Sequence, residues 1–321
     1  MTPSALRRFG FLTLPNYSMI ACANAIEPLR MANRLNGRPD YDWTMLTLDG
    51  APAAASNGLS LGPTVALEAS GPLDAILVCG GVDVRQSVGR PVKTALRRLA
   101  RQGMALGALC TGTFALAEAD LLKGYRCAIH WENLSAIREE FPQVEFVGDL
   151  YAIDRDRLTC TGGIAPLDMM LHLIAGRFGR ALADRISMQF ILDRTRAGEE
   201  RQPSLAQNQA VVGHPALERA VRLMEERIED PPSAAAIAGH AGVSPRQLER
   251  LFQQRLGQTP SAFALSLRLD RARALLRQTA MPITDIALAC GFSSATHFST
   301  AYRRRFERAP RAERAEGWGI S

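Results

Sequence analysis

The sequence has no long apolar run. Its N-terminus, MTPSALRRFGFLTLP, carries two arginines but no extended hydrophobic stretch, so neither a signal peptide nor a membrane-spanning helix is predicted. The expectation is a soluble, cytoplasmic chain with no membrane partner. Paired cysteine motifs are missing too. Cys22, Cys79, Cys110, Cys127, Cys160 and Cys290 form no CxxC pair and no metal-ligand spacing with histidine. No metal, no cofactor and no disulfide framework is therefore predicted, and most of the thiols are expected to be small buried hydrophobes. Lysine is absent from residue 213 onward, where 16 arginines face 11 acids. The first 212 residues carry 22 basic and 21 acidic side chains, so the net charge of +6 resides almost wholly in the last third. Charge placed this way points to phosphate and nucleic acid more than to a membrane surface.

What is present is a pattern written twice between Ser233 and Pro310. One copy reads SAAAIAGHAGVSPRQLERLFQQRLGQTP and the other PITDIALACGFSSATHFSTAYRRRFERAP. Ile237, Ala238, Gly242, Val243 and Ser244 correspond to Ile286, Ala287, Gly291, Phe292 and Ser293 at an offset of 49. After one inserted residue the offset is 50, and Leu248, Phe252 and Pro260 fall on Phe298, Tyr302 and Pro310. A duplicated pattern implies a duplicated structural unit. Each copy predicts a short Ala-rich helix, a glycine stop, a serine cap and a second helix with one apolar face. That is a helix-turn-helix, whose second helix suits a major groove. The polar faces carry candidate DNA contacts: Ser244, Arg246, Gln247 and Arg250 in the first copy, and Ser294, Thr296, His297, Thr300, Arg303 and Arg304 in the second. The competing reading is a solvated face of a helical bundle. Between the copies, Thr259 and Pro260 open a bridging helix with Leu265, Leu269, Ala272 and Leu276 on one face, able to hold the two reading helices about one DNA turn apart. The charged tail after Pro310 is expected to fray.

Residues 213–321 resemble the AraC-type DNA-binding domain, most specifically in "ACGFSSATHFSTAYRRRF" and "RLDRARALLRQT". The resemblance implies a sequence-specific transcription regulator whose partner is double-stranded promoter DNA, with RNA polymerase a further partner of an activator. Residues 197–212, polar with one proline, are the predicted linker.

Residues 1–196 alternate strand and helix patterns and predict a mainly parallel α/β sandwich, so the whole chain is α/β followed by an all-α domain. Ala75–Val78 runs into Gly80-Gly81. Met104–Leu109 runs into Cys110-Thr111-Gly112 and a helix from Thr113 to Leu122. Strand, cysteine and helix make a nucleophile-elbow arrangement, in which the helix dipole favours the thiolate. The Gly80-Gly81 amides could receive an anionic group.

This part resembles the PfpI/ThiJ superfamily of the class I glutamine amidotransferase-like fold, over about residues 7–195, through "GALCTGTFALAEADLLKGYRCAIHW" and "NAIEPLRMAN". The resemblance implies Cys110 as the elbow residue, Glu27 as its acidic neighbour and His130 as a nearby imidazole. Family hydrolases commonly carry histidine directly after the cysteine, and here that position is Thr111. The elbow is thus read as vestigial, with no catalytic residue, and as a ligand pocket formed by Tyr17, Glu27, Gly80, Gly81, Cys110, Thr111, His130 and Trp131. The fusion of the two domains resembles the GlxA-type regulators. That resemblance implies a small effector such as glycine betaine, carnitine or arginine, and a homodimer. A quaternary ammonium seeks aromatic faces, for which Trp131 and Tyr17 are the candidates. The alternatives are a cysteine hydrolase or glyoxalase-like enzyme with Cys110 as nucleophile, or a purely structural or dimerising first domain.

Overall fold

The computed structural model describes residues 5–202 and 210–317, and the chain divides after Gln202 into two compact units. Nine strands and seven helices build the described part of the first unit. The order is β1 (Arg8–Thr13), α1 (Met19–Asn36), β2 (Asp42–Thr47), β3 (Thr64–Ala66), β4 (Ala75–Cys79), α2 (Val84–Ser87), α3 (Arg90–Arg101), β5 (Ala105–Leu109), α4 (Thr113–Glu118), β6 (Arg126–Ala128), α5 (Trp131–Glu140), β7 (Glu145–Val147), β8 (Tyr151–Asp154), β9 (Arg157–Cys160), α6 (Ala165–Phe178) and α7 (Arg180–Gln189). β4 and β5 are buried at every position, as strands covered on both faces must be, which explains their unbroken apolar runs.

The main sheet runs β3-β2-β1-β4-β5-β9-β8 and is parallel except for the β8–β9 pair. Its winding reverses between β1 and β4. Ligands of open parallel sheets bind beyond the strand ends at such a point. Cores fill both faces: Phe9, Phe11, Leu29, Leu77, Met169 and Met170 belong to one, Leu12, Ile76, Leu96, Leu106, Leu116 and Ile137 to the other. Three expectations change here. The helix after the elbow stops at Glu118, where Asp120 adopts φ 58° and turns the chain. The antiparallel β8 and the two-stranded β6–β7 sheet were invisible as short, unpatterned segments. Residues 197–202 are not linker: Leu150 N–H donates to the Gly198 and Glu200 carbonyls, and Gln202 N–H to Gly148. Residues 203–209 of the predicted linker lie outside the described residues.

The second unit contains α8 (Pro215–Glu226), α9 (Ala234–Ala241), α10 (Pro245–Leu256), α11 (Pro260–Gln278), α12 (Ile283–Ala289), α13 (Ala295–Phe306) and α14 (Pro310–Gly317). Residues 310–317 of the tail are helical: α14 packs on α11 and buries Glu313 completely, while residues 318–321 lie outside the described residues. α11 buries Phe263 and Leu267 against the first repeat's core, and Leu269, Ala272, Leu275 and Leu276 elsewhere. Leu265, expected on the buried face, is only half-buried, because a helix that serves two repeats buries more than one stripe. All six cysteines are free and buried, and no helix among the described residues is long and apolar enough to cross a membrane.

Candidate functional site

The second helix of each repeat is set by its cap. Gly242, at φ 73°, closes α9, and Ser244 opens α10 through a reciprocal cap. Ser244 Oγ accepts from Gln247 N–H at 3.3 Å, and Ser244 N–H donates to Gln247 Oε1 at 2.9 Å. Gln247 therefore starts the helix, which limits the part it can take in reading a base. In the second repeat the cap is Ser294 and not Ser293, so the inserted residue lies in the turn. Ser294 Oγ accepts from His297 N–H at 3.2 Å, and the His297 ring packs edge-on against Phe292.

The apolar faces are fixed inward. Leu248 and Phe252 of α10, and Phe298 and Tyr302 of α13, are fully buried. Their opposite faces leave Arg246, Gln247, Arg250, Thr296, His297, Thr300, Arg303 and Arg304 exposed. Arg246, Arg250, Arg303 and Arg304 carry no side-chain ion pair or hydrogen bond among the described residues, so their donors are available to an anionic partner. Arg305 is different: it is paired to Asp270 of α11 at 2.8 Å and braces the helix.

The second turn is clamped by residues with no obvious signature in the repeat. Arg268 of α11 donates to the carbonyls of Cys290 at 2.7 Å and Gly291 at 2.5 Å, with its guanidinium 4.0 Å from the Phe292 ring centroid. Gly291 sits against the segment between α8 and α9, where an added Cβ would lie 2.6 Å from the Ile228 carbonyl oxygen. That close approach packs the second turn against the segment that leads into the first repeat.

In the first unit, Cys110 has φ 59°, as an elbow requires, and begins a 3-10 turn that leads into α4. Glycines permit the turn. A Cβ at Gly80 would lie 2.3 Å from Gly112 N, and one at Gly112 would lie 2.1 Å from Val78 O. Gly80 N–H donates to Leu109 and Gly80 O accepts from Ser18 N–H, so the Gly80 amide is engaged within the protein and not open to an anion. Thr111 is buried and donates its hydroxyl to Gly81 O at 2.7 Å, holding the elbow to the β4 loop.

The thiolate expectation fails. Burial pushes the Cys110 thiol up to about 11; a Thr111 backbone hydrogen bond opposes this and the negative Glu132 adds to it. Desolvation outweighs a helix dipole from only six residues of α4. The carboxylate whose charge acts on Cys110 is Glu132, and Glu27 is engaged elsewhere. Its carboxylate is gripped by Arg30 one turn along α1, at 2.6 Å, on a surface where it is 43% exposed. Tyr17 is fully buried, its hydroxyl accepting from Leu61 N–H at 3.2 Å, and burial raises its phenol. It is a core residue that offers no open face.

His130 does reach the elbow. A Cβ at Gly162 would lie 3.1 Å from Cys110 Sγ and 3.4 Å from His130 Nε2, so thiol and imidazole converge on this one glycine. Burial lowers the His130 pKa, partly opposed by Glu132, whose carboxylate lies 3.7 Å from Nδ1. Trp131 follows, half-exposed, with its ring centroid 5.8 Å from that of His130. Gly162 was legible only as part of a glycine pair after β9, and nothing in the sequence pairs it with residue 130. The arrangement is a buried neutral thiol beside a neutral imidazole, with an aromatic face and a carboxylate at the rim. Glu132 stands on the Nδ1 side of the imidazole, but at 3.7 Å and 60% exposed it is beyond hydrogen-bond reach, unlike the buried orienting acid of a triad.

The comparisons with known proteins agree with both halves. Residues 21–176 match the DJ-1/PfpI family and residues 237–316 match a helix-turn-helix domain. The chain is 48% identical over 305 residues to the HTH-type transcriptional regulator GbdR of Pseudomonas aeruginosa, covering 95% of this chain and 83% of that one. It is 39% identical to the HTH-type transcriptional regulator GlxA of Rhizobium meliloti, over 95% and 94% of the two chains. A solved AraC family transcriptional regulator from Pseudomonas putida superposes with a TM-score of 0.53 at 32% identity, over 57% of this chain and 99% of that one. The chain thus belongs to the HTH-type transcriptional regulators in which a DJ-1/PfpI domain precedes an AraC-type DNA-binding domain.

Proposed function

We propose that this regulator works as a cytoplasmic homodimeric activator. A small metabolite held at the Cys110–His130–Gly162 site changes its binding to promoter DNA and its engagement of RNA polymerase. The observation that carries the reading of DNA is the open basic face on a helix whose opposite face is buried. In this reading Arg246 and Arg250 of α10 contact base edges, helped by Ser244 and Gln247. α13 reads modestly through Thr296, His297 and Thr300, with Ser294 at its start, and grips phosphate through Arg303 and Arg304. Arg246→Ala is expected to lose about 1–3 kcal/mol on the preferred duplex and to relax preference at one position. Arg304→Ala weakens all sequences alike and lowers the salt slope by about 1. Fluorescence anisotropy on matched and shuffled duplexes separates the two. A uniform loss for Arg246→Ala contradicts its assignment as a reader.

The effector is proposed to be a quaternary ammonium such as glycine betaine or carnitine, with arginine as the amino-acid alternative. Trp131 supplies an aromatic face and Glu132 a negative charge beside it, the two features a cation of this kind requires. Saturating ligand stabilises the first unit by mass action, so a thermal-shift series with these three compounds tests the choice. No shift with any of them removes it.

The enzymatic reading draws on the approach of His130 to Cys110. Against it stands the thiol's pKa of about 11, which leaves little thiolate near neutral pH. Cys110→Ser is therefore expected to keep effector-dependent promoter activation within about twofold, and wild-type Cys110 to alkylate with iodoacetamide more slowly than a free cysteine at pH 7.5. Loss of activation in Cys110→Ser, together with rapid alkylation, would favour thiol chemistry.

A further inference from the structure

Gln202 is the last described residue before the chain leaves the first unit for the DNA-binding unit. A residue in that position needs no buried side chain, yet Gln202 is only 5% exposed and its amide is bonded on both sides. Nε2 donates to the carbonyls of Ile129 at 2.8 Å and Asp149 at 2.9 Å, and Oε1 accepts from Thr161 Oγ1 at 2.7 Å. Ile129 is the neighbour of His130, and Thr161 is the neighbour of Gly162. The Thr161 carbonyl also accepts the Cys110 amide at 3.4 Å. One side chain is thus tied to the residue preceding each of two site residues, and its third bond runs to the loop before β8.

The backbone leading to it is a strap. Gly198 and Glu200 accept from Leu150 N–H, and Gln202 donates to Gly148. The strap lies along the loop that precedes β8, and Gln202 ends it. A buried amide keeps its three bonds only while Ile129, Asp149 and Thr161 hold their spacing, since hydrogen bonds weaken within a few tenths of an ångström of displacement. A ligand that spreads His130 from Gly162 pulls on two of the three.

We propose that Gln202 is a positioning residue through which occupancy of the Cys110–His130–Gly162 site releases or docks the strap of residues 198–202. This rests on the site being the effector site, and the experiment separates the two claims. Trypsin cleavage after the exposed Arg201 in the full-length chain, followed by mass spectrometry of fragments beginning at Gln202, reports undocking of the strap. Gln202→Glu keeps the acceptor for Thr161 but sets an oxygen against two carbonyls. Cleavage is expected to rise about tenfold or more, as the open population rises. Thr161→Val raises it by less.

Gly162→Ala presses a methyl on His130 and Cys110 and serves as a ligand-free stand-in for occupancy. It is expected to change cleavage at Arg201 when Gln202 is present and not in the Gln202→Glu background. With glycine betaine as the probe, wild type shows a changed cleavage rate and a changed DNA affinity. Gln202→Glu loses both responses but keeps its thermal shift with the same compound. A merely structural glutamine would leave the response to betaine intact, and that result overturns the proposal. So does an unchanged cleavage rate in both Gln202→Glu and Thr161→Val. If betaine does nothing to wild type while the Gly162→Ala dependence on Gln202 holds, the effector choice fails and the coupling stands.

Discussion

Glu313→Ala is expected to destabilise the second unit by about 3 kcal/mol and to weaken DNA binding, although Glu313 has no surface to offer DNA. The carboxylate is wholly buried between α14 and α11, bonded by Arg273 at 2.9 Å and Arg277 at 2.5 Å, with Arg308 at 3.7 Å. Removing it leaves several like charges crowded together. Arg273 and Arg277 are 36% and 46% exposed and regain some hydration, which places the loss at the low end for a broken buried pair. The damage reaches α13 because Arg273 also lies over the Phe306 ring, 4.7 Å from its centroid. Burial and the nearby Glu313 charge together raise the Tyr302 phenol in the same cluster.

The same cluster has a pH signature. Burial opposes ionisation of Glu313, but hydrogen bonds from the two arginines outweigh it and hold the carboxyl below its ordinary value of 4.5. A group depressed in the fold stabilises above its unfolded pKa and loses that contribution as pH falls through the folded one. Acid unfolding of the second unit below about pH 4.5 should thus be less steep in Glu313→Gln than in wild type, as followed by circular dichroism.

Gly112→Ala is the other large effect. The new Cβ would lie 2.1 Å from Val78 O and 2.9 Å from Val78 C, and backbone of a central strand cannot give way as a side-chain tip can. The loss is expected to be about 3 kcal/mol or more, at the upper end of overpacking. Because the elbow shifts with it, effector-induced thermal shift should disappear. Calorimetry of the full-length chain checks this. A transition within about 0.5 kcal/mol of wild type would mean that the elbow is looser than these distances allow.

Local pattern carried much of this into the sequence. The duplicated helix-turn-helix, its Gly242 stop, the Ser244 cap and the buried runs of β4 and β5 all follow from spacing within a few residues. So did the elbow, since a strand, a cysteine and a small-residue turn are contiguous. Glu27 misled because its partner depends on which way one helix face turns: α1 buries Cys22, Ala25 and Leu29 and leaves residue 27 beside Arg30. The thiolate expectation considered the dipole and left out desolvation, which only the closed structure supplies. The contacts of Gln202 and Gly162, and those of Glu313 with α11, join residues 32 to 73 positions apart, and no periodicity encodes them. His130 shows the same limit from the other side: a histidine 20 residues from the thiol is returned to it because Thr113 and Thr159 hold Ala128 at the end of β6.

In the proposed mode of DNA binding, two fixed helices read two adjacent stretches of one DNA face. Selection of duplexes from a random-sequence pool by the full-length chain tests it most directly. Enrichment of two base clusters about 10 bp apart is the expected result, with the first cluster lost in Arg246→Ala and the second blurred in His297→Ala. A pool without enriched sequence, or one whose clusters survive both substitutions, would contradict it.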